Sequence, residues 1–147
     1  MEWGDAIGVL SEFFRVEDWE TEIGGVYEIV LDKAIELKVY KAGSSTIVFN
    51  GIAGVTIDNN KQSESVLKKI LQWNFGRIKD NNDTLSIDVP QRRLMITRKL
   101  ELRDMDDYGI ILEAESFVAN LSFWSDATIG NPPPMVGQSM QLLNFLR

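Results

Sequence analysis

The run at residues 46–55, TIVFNGIAGV, carries apolar side chains on both of its alternating faces, and it constrains the fold more than any other stretch. A strand that is apolar on both sides belongs in the middle of a sheet, with a neighbour along each edge. Two neighbours precede it. VYEIVLD places Tyr27, Ile29 and Leu31 on one face, and IELKVYK does the same with Ile35, Leu37 and Val39. Asp32-Lys33 and KAGSS have turn chemistry, so the three runs predict an antiparallel meander.

Helical patterns surround it. Residues 3–15, WGDAIGVLSEFFR, put Trp3, Ile7, Leu10 and Phe14 at helical spacing with Phe13 on the flank. The segment VLKKILQWNFGR, residues 66–77, is apolar over more than one narrow stripe, with Val66, Leu67, Ile70, Leu71, Trp73 and Phe75 close together. A helix of that kind either lies deep in a core or serves two partners. Ser63 suits its N-cap and Gly76 its end. TLSIDV and LMITRKL follow as a hairpin around PQRR, with Leu85, Ile87 and Val89 alternating in the first strand and Leu94, Ile96 and Leu100 on one side of the second. A last helix is expected from Asp104, its N-cap, through Ile110, Ala114, Phe117 and Leu121 to Trp124.

The expected fold is therefore α+β, in the order α-β-β-β-α-β-β-α, an antiparallel sheet flanked by helices. Residues 1–128 form the expected domain. Residues 129–147 are a Pro-containing linker, IGNPPP, and a short apolar C-terminal tail, SMQLLNFLR.

Chemistry is scarce. Among 147 residues there is no histidine and no cysteine, which removes the commonest general base, the usual metal ligands and disulfides. GIAGV lacks the third glycine of a dinucleotide fingerprint and the Lys-Ser/Thr of a phosphate loop, so close packing at a strand explains it better. DNNKQSE and DNNDTLS lack the glycine and terminal glutamate of a calcium loop. The formal charge of −7 argues against nucleic acid. The one dense basic group, Arg92, Arg93, Arg98 and Lys99, reads as solvated surface. No apolar run approaches the roughly 18–20 residues that span a bilayer, and MEWGDAIG has no basic leader, so neither membrane insertion nor secretion is expected. No cofactor and no metal are expected. Surplus apolar surface without site chemistry points to binding rather than catalysis.

These elements resemble the class I type III secretion chaperones, the CesT/Tir-chaperone family. The resemblance is carried by Ile70, Leu71 and Asn74 at the end of one helix, and by Leu85, Ile87 and Asp88 in a strand. Leu94, Arg98 and Leu100 in the next strand and Phe117 and Trp124 in the last helix complete it, with Leu10 and Phe14 in the first. It covers about the first 125 residues and leaves the tail unmatched. What it implies is a cytoplasmic bacterial protein that is not an enzyme. Such a homodimer holds the N-terminal segment of a secreted effector, partly unfolded, without ATP, and hands it to the secretion machine, its ATPase included. The implied dimer interface is Leu67, Ile70, Leu71, Trp73, Leu85 and Ile87. The implied client-binding residues are Leu10, Phe13, Phe14, Val30, Leu37, Val39 and Val48, although for Leu10, Phe14 and Leu37 a place in the core explains the pattern better. Phe13 and Val30 lie off the inward faces of their elements. Three other roles suit the sequence: a regulatory adaptor of the same fold, a carboxylate enzyme using Asp104 with Asp107 or Glu113, or a subunit of a stable hetero-complex.

Overall fold

The computed structural model describes residues 1–17, 19, 21–22, 25–31, 35–56, 64–65, 67–69, 71–72 and 83–127. Helix α1 is Trp3–Phe14, followed by strands β1 (Thr21–Glu22), β2 (Val26–Leu31), β3 (Ile35–Ala42) and β4 (Thr46–Thr56). Residues 64, 65, 67–69, 71 and 72 are helical. Strands β5 (Asp83–Asp88) and β6 (Arg93–Glu101) and helix α2 (Asp107–Ala127) complete the described chain. Ser63, Gly76 and the linker and tail at 129–147 lie outside the described residues.

The strands form one antiparallel sheet in the order β1-β2-β3-β4-β6-β5. β4 is flanked on both edges, as its two apolar faces require. Register partners share a face, so Tyr27, Val39, Phe49, Arg98 and Asp83 form one row across the sheet. Ile29, Leu37, Gly51, Ile96 and Leu85 form the next. Helices α1 and α2 cover this face: Ala6 and Leu10 from α1 and Ile110, Ala114, Phe117, Leu121 and Trp124 from α2 join Leu37, Val39, Ile47, Phe49, Leu94 and Ile96 in a single core. Phe117 lies 5.5 Å from Phe49, ring to ring.

Gly51 shows why GIAGV carries glycine. A Cβ there would overlap the Leu121 side chain of α2, so glycine lets helix and strand approach closely. Between Ile52 and Thr56 the β4–β6 register shifts, and the Arg93 Nε–H donates to the Ala53 carbonyl at 3.1 Å. A backbone acceptor left out of the ladder is thus satisfied by a side chain.

Two local expectations change. β1 has no counterpart in the expected order, because two residues in the charged stretch EDWETE carry no alternation. Gly25 at φ 76 turns the chain into β2. Helix α2 is capped by Asp106, not Asp104: Asp106 Oδ1 accepts from the Gly109 N–H at 2.7 Å, and its carbonyl accepts from Ile110 at 3.1 Å.

Candidate functional site

Between α1 and β2 lies a layer of half-buried aromatic rings packed on the rim of the core. Trp3 lies 6.1 Å from Tyr27, Tyr27 5.2 Å from Trp19, Trp19 6.1 Å from Phe14, and Phe14 4.9 Å from Phe13. Most of these contacts are edge-on, the arrangement favoured by ring quadrupoles. The Trp19 indole N–H also donates to the Glu28 carbonyl on β2 at 3.0 Å. Among the described residues, the register of β1 on β2 covers Val26 and Tyr27. Farther along β2, Val30 is 66% exposed on the face away from the helices.

The seven residues expected to hold a client separate by burial. Leu10, Leu37, Val39 and Val48 are buried. The first three fill the core, while Val48 lies on the opposite face of the sheet between its register partners Tyr40 and Lys99. Phe13 and Phe14 are half-buried and Val30 is exposed. Trp3, Trp19 and Tyr27 share the layer with the two phenylalanines and were not expected there. Trp19 stands among acidic residues with no period to reveal its direction.

Exposed apolar side chains also occur among the described helical residues of 64–72 and on the β5–β6 hairpin. Leu67 packs on the core, whereas Leu71, one helical turn on, is 68% exposed. Leu85 is buried, Ile87 is 38% exposed and Val89, beside the hairpin turn, 77%. Ile70 and Trp73 lie outside the described residues.

Not all of the basic group is surface. Arg92 and Lys99 are exposed, but Arg93 is half-buried beside Glu36, and Arg98 is buried on the helix-covered face. Asp83, its register partner, accepts from Arg98 Nε at 2.5 Å and from Nη2 at 2.7 Å, a paired contact of guanidinium with carboxylate. Arg98 Nη1 donates to the Glu113 carbonyl and to Oε2, both at 3.0 Å, and Nη2 reaches Ser116 Oγ at 3.3 Å. All five guanidinium N–H groups therefore have acceptors. Asn120 adds a bond to Asp83 at 2.7 Å, and the guanidinium lies 5.6 Å from the Phe117 ring centre. Spacing does not reveal this buried cation, because its partner is 15 residues away and meets it through strand pairing.

Asp104 and Asp107 are exposed, and Glu113 is engaged with Arg98. An open groove of about 510 Å³ between α1 and the start of α2 is lined by Asp5, Glu12, Asp106 and Asp107 beside Gly4 and Gly8. No helix among the described residues is long and apolar enough to cross a membrane.

No family model matches the sequence, and no curated protein matches it. Solved structures do. A chain of the ExsC–ExsE complex superposes with a TM-score of 0.68 at 11% identity, over 86% of this chain and 96% of that one. Its fold is that of the type III secretion chaperones. The HopA1–SchA chaperone–effector complex gives a TM-score of 0.59 at 10% identity, over 82% of this chain and 92% of the other. The Yersinia pestis type III secretion chaperone SycH, in complex with a stable fragment of YscM2, gives 0.54 at 17%, over 80% and 97%. At these identities the secretion-chaperone architecture is shared and side chains are not.

Proposed function

We propose that this chain is an ATP-independent type III secretion chaperone that acts in the bacterial cytoplasm. As a homodimer it binds the N-terminal segment of an effector and keeps it soluble, partly unfolded and ready for export. The observation that carries this reading is the half-buried ring layer of Phe13, Phe14, Trp19 and Tyr27 beside the short β1, on a fold shared with a chaperone–effector complex. Rings present large apolar area and lose little side-chain entropy when covered, which suits capture of segments of varied sequence. Phe13, Phe14 and Val30 are the client contacts proposed from the expected set, joined by Trp19 and Tyr27. The buried Leu10, Leu37 and Val39 support the ring layer from beneath, whereas Val48, also buried, lies on the other face of the sheet.

Ordering a flexible segment costs several kcal/mol, on the order of 2–5, so the interface has to be extended rather than a small pocket. The charge of −7 keeps such a surface soluble before loading. Leu71 and Ile87, with Val89, are the exposed residues proposed to pair two copies, Leu67 and Leu85 backing them from the core; Ile70 and Trp73, expected at the same interface, lie outside the described residues. The role needs no catalytic group and no cofactor, and the loaded dimer would deliver its client to the secretion ATPase.

Co-expression with candidate effectors, followed by native mass measurement, tests the proposal. The expected species are a dimer alone and a complex of two chains with one client, formed without nucleotide. A monomer that captures no effector overturns it. Phe13→Asp should weaken capture at least tenfold while the circular dichroism spectrum and the dimer persist. A variant that unfolds would make Phe13 a core residue.

A further inference from the structure

Strand β5 sits in a register that its own apolar pattern does not favour. With Asp83 opposite Arg98, Leu85 opposite Ile96 and Ile87 opposite Leu94, only Leu85 is well buried. Ile87 is 38% exposed, and Val89 falls in the turn at 77% exposure. Sliding β5 by two residues preserves the alternation, because strand side chains repeat every second residue. Ile87 would then face Ile96 and Val89 would face Leu94, whose own side chains are buried. Hydrophobic burial alone prefers that arrangement.

Charge opposes it. The slide would place Asp83 opposite Leu100 and Leu85 opposite Arg98, separating a carboxylate and a guanidinium whose side chains are 1% and 6% exposed. A buried charge without its partner is strongly unfavourable, whereas a buried pair replaced by apolar residues is often neutral. Buried polar groups fix register in some proteins, a single buried asparagine in a coiled coil among them. The slide also shortens the hairpin to a two-residue Gln91-Arg92 turn. Arg92 is already left-handed at φ 52, but the turn lacks glycine and its closing residue Pro90 has no N–H to give to Arg93, so the turn disfavours the slide as well without forbidding it.

We infer that the Asp83–Arg98 pair, braced by Glu113 and Asn120 on α2, is a register pin that holds β5 two residues away from its most apolar pairing and so keeps Ile87 and Val89 at the surface. The pin decides which apolar side chains the edge hairpin presents. It does so whether the surface meets a second copy or nothing at all, so the inference stands apart from the proposed function.

The chain has no cysteine, which makes disulfide trapping free of background. Thr84 and Thr97 are register partners, while Ser86 becomes the partner of Thr97 after the slide. The full chain carrying Thr84→Cys with Thr97→Cys should cross-link under mild oxidation, and Ser86→Cys with Thr97→Cys should cross-link at least tenfold more slowly. In the background Asp83→Leu with Arg98→Leu, or Asp83→Leu with Leu85→Asp, which moves the carboxylate two residues along β5, the preference should reverse. If both backgrounds retain the original preference, the turn alone sets the register and the inference fails. If the apolar pair does not fold, as judged by circular dichroism, the pair is a stability element and the inference fails equally.

Discussion

At the β2 edge the sheet is closed by rings, with Trp3, Phe14, Trp19 and Tyr27 in a chain of contacts at 6.1 Å or less. At the β5 edge it is closed by Arg98 with five directed donors, Asp83, Glu113 and Asn120. Ring contacts are broad and forgiving, and each side chain remains partly open to another apolar group. A guanidinium clasped by carboxylates has one geometry, and departures from it strand a charge. One edge is therefore suited to accommodating a variable partner and the other to holding a fixed outline. On the proposed function these are the different needs of client capture and of self-pairing.

Removing one member of each assembly should expose the contrast. Arg98→Met leaves the Asp83 carboxylate buried with Asn120 as its one remaining side-chain donor among the described residues, and should lower stability by about 3–5 kcal/mol. Urea unfolding measures the loss. A change below about 1 kcal/mol would mean that water reaches Asp83 and that the β5 edge is not held by charge.

The ring edge should yield far less. Trp19→Phe keeps an aromatic ring against Phe14 and Tyr27 and deletes the N–H that donates to the Glu28 carbonyl. One hydrogen bond is worth about 0.5–1.5 kcal/mol, and at a half-buried site the lower end applies. If this variant were as damaging as Arg98→Met, the ring layer would be as geometrically exacting as the ion cluster, and the contrast between the edges would collapse.

How much was legible in the sequence follows the same division. Period-2 alternation gave away β2, β3, β5 and β6, because burial on one face needs nothing but spacing, and apolar residues on both faces gave away β4 as an inner strand. It gave away α1 and the body of α2 for the corresponding reason at period 3.6. β1 stayed hidden, since backbone pairing imposes no apolar signature on two residues. Arg98 stayed hidden because its environment depends on a partner brought in by register and on a helix that begins after the strand ends. Val39 and Val48 were grouped as client-binding residues, yet they point to opposite faces. Their numbers alone do not show this, but the register does, with Val39 opposite Phe49 and Val48 opposite Tyr40. Exposure on the hairpin was the least legible of all, for Leu85, Ile87 and Val89 alternate alike and only the register separates them.

The smallest effect concerns a charge three residues beyond Arg98, on the same strand but on the other face. The Glu101 carboxyl is held below its ordinary pKa, first by a hydrogen bond from the Ser45 side chain; desolvation opposes this, and the Arg103 backbone N–H, the Arg103 charge and the Leu102 backbone N–H add to the lowering. Arg103 and Glu101 are both well exposed, with side chains 73% and 50% accessible and 3.8 Å apart. For a depressed carboxyl, the stabilising contribution is present above the unfolded-state pKa and fades as pH falls through the folded-state one. Water and salt screen it at this exposure. Ser45→Ala should therefore move the Glu101 titration upward toward the usual carboxylate range, as followed by the carboxyl resonance in NMR, while urea unfolding at pH 7 stays unchanged. An unmoved titration would give the depression to Arg103 instead. A loss of stability approaching that of Arg98→Met would mean that exposure does not separate the two charges, and burial would no longer explain why one of them governs an edge of the sheet.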